Sequence, residues 1–136
     1  MIRPQPNSRP SVLVADDDED ILSLVAVLLE LDGYEVVKAR SGDEALRLVL
    51  ELGPALAVLD VSMPGLDGYE VTRALRRLAG TSSMPIILLT ARAQQSDIAR
   101  GIAAGADDYV RKPFDARNLR ERVKRLLGPE LVAKPF

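Results

Sequence analysis

The sequence contains no cysteine and no histidine. Without thiols there is no disulfide and no thiolate nucleophile, and without imidazole there is no Ser-His-Asp triad and almost no route to a zinc site. Any ion held by this chain must accept oxygen ligands, which points to a hard cation such as magnesium. No stretch approaches the roughly 18 uncharged apolar residues of a spanning helix, so no membrane partner is expected. The opening MIRPQPNSRP has three prolines and no apolar signal-peptide core. Residues 1–10 are therefore expected to be a disordered lead-in, and the chain cytoplasmic. A large excess of one charge is also missing. The net charge of -2 makes wholesale nucleic-acid binding an unfavourable reading.

What is present is an ordinary globular composition: 136 residues, 47% hydrophobic and 28% charged, enough for one domain with a real core. Short apolar runs alternate with helical patterns. SVLVA (Ser11 to Ala15), YEVVKA (Tyr34 to Ala39), ALAVL (Ala55 to Leu59), PIILLT (Pro85 to Thr90) and DYVR (Asp108 to Arg111) read as strands. Between them, Ile21, Leu24, Val25 and Leu28 recur at helical spacing up to Asp32-Gly33. Ser41 and Glu44 have capping-box spacing, and Ala45, Leu48, Val49 and Leu52 line one face of a second helix up to Gly53-Pro54. Asp67 and Glu70 open a third helix, expected to reach about Leu78. A weaker fourth includes Ile98 and Ile102 and ends near Gly105. Asp115 caps a fifth, with Leu119, Val123, Leu126 and Leu127 facing inward.

Strand and helix alternating five times predict repeated βαβ units, hence a parallel five-stranded sheet with helices on both faces, an α/β doubly wound fold. No internal repeat or low-complexity block interrupts it. Residues 11–127 are assigned to this domain and 128–136 to a C-terminal tail. The Gly128-Pro129 stop followed by ELVAKPF favours a natural end over the front of a larger regulator.

In an open parallel sheet, ligands bind beyond the carboxyl ends of the strands. Those ends carry Asp16-Asp17, Asp60, Thr90 and, just after the fifth strand, Lys112. Clustered carboxylates repel and raise one another's pKa unless a cation neutralises them. Mg2+ is held by one or two carboxylates and keeps waters for a phosphate to displace. A further carboxylate, ionised at neutral pH, can attack phosphorus while the metal, an ammonium and a hydroxyl neutralise the transferred group. This gives a buried strand a reason to end on Asp60.

The blocks VLVADDDEDI, LAVLDVSMPGLDGYE, PIILLTARA and GADDYVRKPF together resemble the receiver domain of two-component response regulators, over about residues 11–127. The resemblance implies a flavodoxin-like, three-layer (βα)5 fold with strand order 2-1-3-4-5. It makes Asp60 the phosphoacceptor, receiving a phosphoryl group from a phosphohistidine on a sensor histidine kinase or a histidine phosphotransfer protein. It assigns Mg2+, with Mn2+ as a substitute, to Asp16, Asp17, Asp60 and the Ser62 backbone carbonyl. Thr90 and Lys112 would contact the phosphoryl group. Tyr109 would be the switch aromatic that turns inward as Thr90 moves, and Lys112-Pro113 would be a cis peptide. Ser62 and Arg92 would tune phosphoryl lifetime. The remodelled face, made of the fourth helix, fifth strand and fifth helix, would signal to a downstream effector protein.

Several features carry plainer readings. Asp18 is expected to cap or flank the first helix rather than touch metal. DDDED lacks the central glycine and distal glutamate of a calcium loop. The bases Arg117, Arg120, Arg122, Lys124 and Arg125 read first as a solvated helix face. In a sharper version they pair with Asp107 and Asp108 of a second copy, as in regulators of the winged-helix type. DNA binding by this helix alone is not expected. Two rival functions compete with this reading: an unphosphorylated receiver-like interaction module, against which the intact acidic set speaks, and a haloacid-dehalogenase-type phosphatase. The latter needs a second aspartate two residues after the nucleophile, where this chain has Ser62. The reading is of a signalling domain rather than a turnover enzyme.

Overall fold

A computed structural model describes residues 9–91 and 94–128. The lead-in over residues 1–8, the tail from residue 129 and the role assigned to Arg92 lie outside the described residues. The elements run β1 (Ser11–Ala15), α1 (Glu19–Leu31), β2 (Glu35–Ala39), α2 (Gly42–Leu52), β3 (Leu56–Asp60), α3 (Gly68–Arg77), β4 (Ile86–Thr90), α4 (Gln95–Ala104), β5 (Asp108–Arg111) and α5 (Ala116–Leu127). All strand pairs are parallel and the order is β2-β1-β3-β4-β5. The doubly wound sheet expected from the alternating pattern is therefore the fold.

The alternation of side chains along a strand explains why these runs are apolar throughout. Leu13, Ala15, Ala57, Leu59, Ile86 and Leu88 point into one core layer, which α2, α3 and α4 close with Ala45, Val49, Tyr69, Leu75 and Ala104. Val12, Val14, Leu56, Val58, Ile87 and Leu89 point the other way, against Leu22, Val25 and Leu29 of α1 and Leu119, Val123 and Leu127 of α5. Each fully buried aliphatic side chain contributes about 1.5–3 kcal/mol of transfer free energy. The three central strands thus hold both helix layers in place.

Two helix faces differ from the sequence expectation. In α1 the inward residues are Leu22, Val25, Ala26 and Leu29, while Leu24 is 51% exposed. In α2, Ala45 and Val49 are buried but Leu52 is exposed. The caps also differ in detail. The Ser41 hydroxyl accepts from the Glu44 N–H, yet the Glu44 carboxylate accepts from the N–H of Arg40 rather than of Ser41. At α3 the box is complete, with Asp67 and Glu70 each satisfying the other's backbone N–H.

Ion pairs join the layers at their ends. Arg120 of α5 grips Asp32, the C-cap of α1, through Nε at 3.0 Å and Nη2 at 2.7 Å. Arg76 of α3 donates to the carbonyls of Thr81, Met84 and Gly105 and to the Asp107 carboxylate, binding the α3–β4 turn to the end of α4. Asp108 pairs with Arg122 and Arg125 of its own chain. The acids that the sequence reading offered to a second copy therefore have partners within the chain here.

Candidate functional site

Each polar side chain of interest stands where a buried strand runs out. Beyond β1, the Asp16 N–H donates to the Ala39 carbonyl at 3.1 Å, adding a rung beside β2. Its side chain is 1% exposed, with Oδ1 accepting from the Asp18 N–H and Oδ2 from Lys112 Nζ at 2.8 Å. Asp17 is exposed. Asp18 caps α1, accepting from the N–H groups of Asp20 and Ile21. Asp60 is the last residue of β3 and buried, and Lys112 Nζ lies 3.2 Å from its Oδ1. After β5, the Lys112 N–H donates to the Thr90 carbonyl at 2.7 Å, and the Lys112–Pro113 peptide is cis. The Lys112 backbone thus ties down the end of β4 while its ammonium reaches back across the sheet to the carboxylates after β1 and β3.

The loop after Asp60 is held just as firmly. The Val61 N–H donates to Leu89 O and the Gly68 N–H to Val61 O, each at 2.9 Å, while Asp43 Oδ1 accepts from the Leu66 N–H. Gly68 is required by close approach, since a Cβ there would lie 2.6 Å from the Asp60 carbonyl oxygen. This fixes Ser62 beside the carboxylates.

Asp16, Asp17, Asp60, Ser62 and Lys112 line one open cavity, together with Asp18 and Ala91. One carboxylate oxygen from each of Asp16, Asp17 and Asp60 lies within 4.8 Å of the others. Burial pushes the Asp60 carboxyl up to about 6; the Asp16 charge adds to this, and Lys112 and the Ser62 N–H oppose it. For Lys112, burial works against the charged form, but the hydrogen bond to Asp16 and the charges of Asp60 and Asp16 outweigh it, and its pKa is raised. Three carboxylates and a single ammonium, paired with Asp16 and Asp60, at this cavity leave an excess of negative charge on oxygen donors. That donor set fits a small hard divalent cation and no soft one.

Thr90 is the last residue of β4, 2% exposed, and the strand alternation puts it on the same face as Leu88 and Tyr109. Tyr109 is half-buried against the core layer beneath α3 and α4. Its hydroxyl lies 3.1 Å from the hydroxyl of Tyr69, which donates to the Asp97 carbonyl at 3.2 Å. Burial first, then the bond to Tyr109, raises the Tyr69 pKa. Sequence reasoning passed over Tyr69. Its only signal was an aromatic in the first turn of a helix, and its partner is 40 positions away.

A doubly wound sheet with acids after β1 and β3 and a lysine after β5 defines a class of phosphoryl-handling signalling domain, and the comparisons with known proteins agree. Residues 12–124 match the family model described as response regulator receiver domain. The chain is 45% identical over 118 residues to the transcriptional regulatory protein AfsQ1 of Streptomyces coelicolor, covering 87% of this chain and 51% of that protein. It is 43% identical over 124 residues to the alkaline phosphatase synthesis transcriptional regulatory protein PhoP of Bacillus subtilis, covering 91% and 51%. The chain spans about half the length of these curated relatives. Among solved structures, a response regulator from Chloroflexus aurantiacus superposes with a TM-score of 0.85 at 38% identity, covering 88% of this chain and 98% of that one. The receiver domain of the sensor histidine kinase PA1611 from Pseudomonas aeruginosa, with a magnesium ion in its active site cleft, gives 0.83 at 30% identity, covering 89% and 99%. The chain belongs to the response regulator receiver domains, a family of phosphorelay signal transduction.

Proposed function

We propose that residues 11–127 form a phosphoacceptor unit in which Asp60 takes a phosphoryl group from a phosphohistidine of a sensor histidine kinase or a histidine phosphotransfer protein. An Asp60 carboxylate oxygen attacks phosphorus as the P–N bond breaks, forming an acyl phosphate, and the imidazole leaves with the electron pair. The observation that carries this reading is the clustering of the Asp16, Asp17 and Asp60 carboxylates at the ends of buried strands, with the Lys112 ammonium paired to Asp16 and Asp60. Asp16, Asp17, Asp60 and the Ser62 carbonyl are the oxygen donors that would hold Mg2+, or Mn2+ in its place. When bound, the ion supplies charge neutralisation for the transferring group. The magnesium in the cleft of the PA1611 receiver domain supports that choice.

Lys112 and Thr90 take the remaining charge of the phosphoryl group, the first by ion pairing and the second by its hydroxyl. Ser62, two residues beyond the acceptor, tunes how readily water reaches the acyl phosphate. Tyr109 is the switch aromatic, and the α4-β5-α5 face passes the change to an effector protein or to a second copy. A homodimer through that face would compete with the pairing of Asp108 to Arg122 and Arg125 within the chain. In this reading the chain is a signalling domain and not a turnover enzyme. The transcriptional regulators among its relatives support a role in controlling transcription.

Incubation with Mg2+ and phosphoramidate or acetyl phosphate, followed by intact-protein mass spectrometry, tests the proposal. The parent should gain one phosphoryl group, and both Asp60→Asn and addition of a chelator should abolish the gain. Equal labelling of Asp60→Asn, or steady phosphate release from many phosphate esters, would overturn it.

A further inference from the structure

Tyr69 stands in the first turn of α3, 2% exposed, and joins that helix to two further elements, α4 and β5. Its hydroxyl reaches the Asp97 carbonyl in the first turn of α4 at 3.2 Å and the Tyr109 hydroxyl of β5 at 3.1 Å. The Arg100 guanidinium carbon lies 4.6 Å from its ring centroid. A hydroxyl has one proton to give. Since the Tyr69 O–H donates to Asp97 O, the proton between the two phenols belongs to Tyr109. The result is a directed chain from Tyr109 to Tyr69 to the α4 backbone. Gly101 completes the seat, because a Cβ there would lie 2.9 Å from Tyr109 Cδ2 and 3.2 Å from Leu88 Cδ1. The Tyr109 ring is therefore fixed at its tip by Tyr69 and along its edge by the α4 backbone.

We propose that Tyr69 is a positioning residue for the switch: its hydroxyl holds Tyr109 in the half-buried orientation and couples that orientation to the first turn of α4. This rests on the reading of Tyr109 as the switch aromatic. Rotating Tyr109 outward breaks the phenol–phenol hydrogen bond and leaves Tyr69 Oη, deep under α4, without its donor. Removing only that oxygen should shift the outward-to-inward ratio of Tyr109 by about fivefold, the usual net worth of one part-buried hydrogen bond. The Phe ring at position 69 keeps both its packing and the Arg100 contact.

The chain has three tyrosines, Tyr34, Tyr69 and Tyr109, so labelling with 3-fluorotyrosine gives a fluorine NMR spectrum that single Tyr→Phe variants assign. Tyr34, fully buried against α1 and α5, reports whether the fold is intact. In Tyr69→Phe the Tyr109 resonance and its solvent isotope shift should move toward the values of the unfolded chain, with Tyr34 unmoved. Tyr109→Phe removes the same bond from the other side and should displace the Tyr69 resonance. A Tyr109 signal identical in parent and Tyr69→Phe, or a Tyr69 signal indifferent to Tyr109→Phe, would overturn the proposal while leaving the switch reading intact. Adding Mg2+ and beryllofluoride to the parent tests the premise. A Tyr109 resonance that does not respond overturns the switch reading, and the positioning role with it.

Discussion

A carboxylate that ends a buried strand is under tension between solvation and use. Asp60 is desolvated and faces Asp16, so its folded pKa of about 6 exceeds the ordinary value of 3.8. Below pH 4 both folded and unfolded chains carry its proton. Between about pH 4 and 6 the unfolded chain releases the proton more readily, so stability falls as pH rises through that window. Without metal, Asp60→Asn should therefore melt higher than the parent at pH 7. The gap is up to about 3 kcal/mol and closes as the pH is lowered to 4. Thermal melts of both proteins across that range check it. Added Mg2+ should raise the parent's midpoint at pH 7 and leave Asp60→Asn less affected. A parent that is more stable than Asp60→Asn at pH 7 without metal would contradict the electrostatics assigned to this residue. At this scale the sequence was informative because Asp16, Asp60, Thr90 and Lys112 each follow an apolar run, and the sheet topology places all such ends on one edge. The Tyr69–Tyr109 contact was not legible, since nothing local marks two phenols 40 residues apart as neighbours.

Between elements, the Asp32–Arg120 clamp joins the end of α1 to α5 across 88 residues of sequence. The hydrogen bond from Arg120 holds the Asp32 carboxyl below its usual value, burial opposes this, and Lys124 adds to the lowering. Arg120→Ala leaves a side chain that is 6% exposed with Lys124, at 3.8 Å, as its remaining ion-pair partner among the described residues, and should cost about 1–3 kcal/mol at pH 7. The stabilisation exists above the ordinary carboxylate pKa and is lost as pH falls through the lowered one. The difference between parent and variant in denaturant melts should therefore shrink in acid. A gap that widens toward low pH would contradict the assignment. The sequence marked Arg120 only as one of several bases on a helix, since a tertiary ion pair leaves no periodic trace. The phase of α1 was misread for a related reason. ILSLVAVLLEL is apolar nearly all the way round, so several stripes fit the helical period, and packing under β1 and β3 selects Leu22 and Leu29 over Leu24. Helix ends were read better than helix faces, because Asp67, Asp115 and Gly53 act on their own backbone neighbourhood.

Across the whole molecule, two core layers position one polar edge. The layer under α2, α3 and α4 contains Thr90's face of β4, Tyr109 and Tyr69, and the layer under α1 and α5 supports the other side of the strands that end at Asp16 and Asp60. A charge placed on Asp60 is thus one strand away from Thr90 and two from Tyr109, which is the short path the proposed switch needs. Fold class was legible because a βαβ alternation of this length has few right-handed solutions, whereas the strand order came only with the family resemblance. Helix-to-helix contacts were not, because they depend on side chains that only the assembled layers bring together. The proposed function requires that the acyl phosphate form on Asp60 and nowhere else. After reaction with Mg2+ and phosphoramidate, borohydride reduces an aspartyl phosphate to homoserine, and peptide mass spectrometry locates it. The expected result is homoserine at position 60 alone, absent when the metal is chelated. Homoserine at position 16 or 17, or none in a protein that has gained phosphate, would contradict the account.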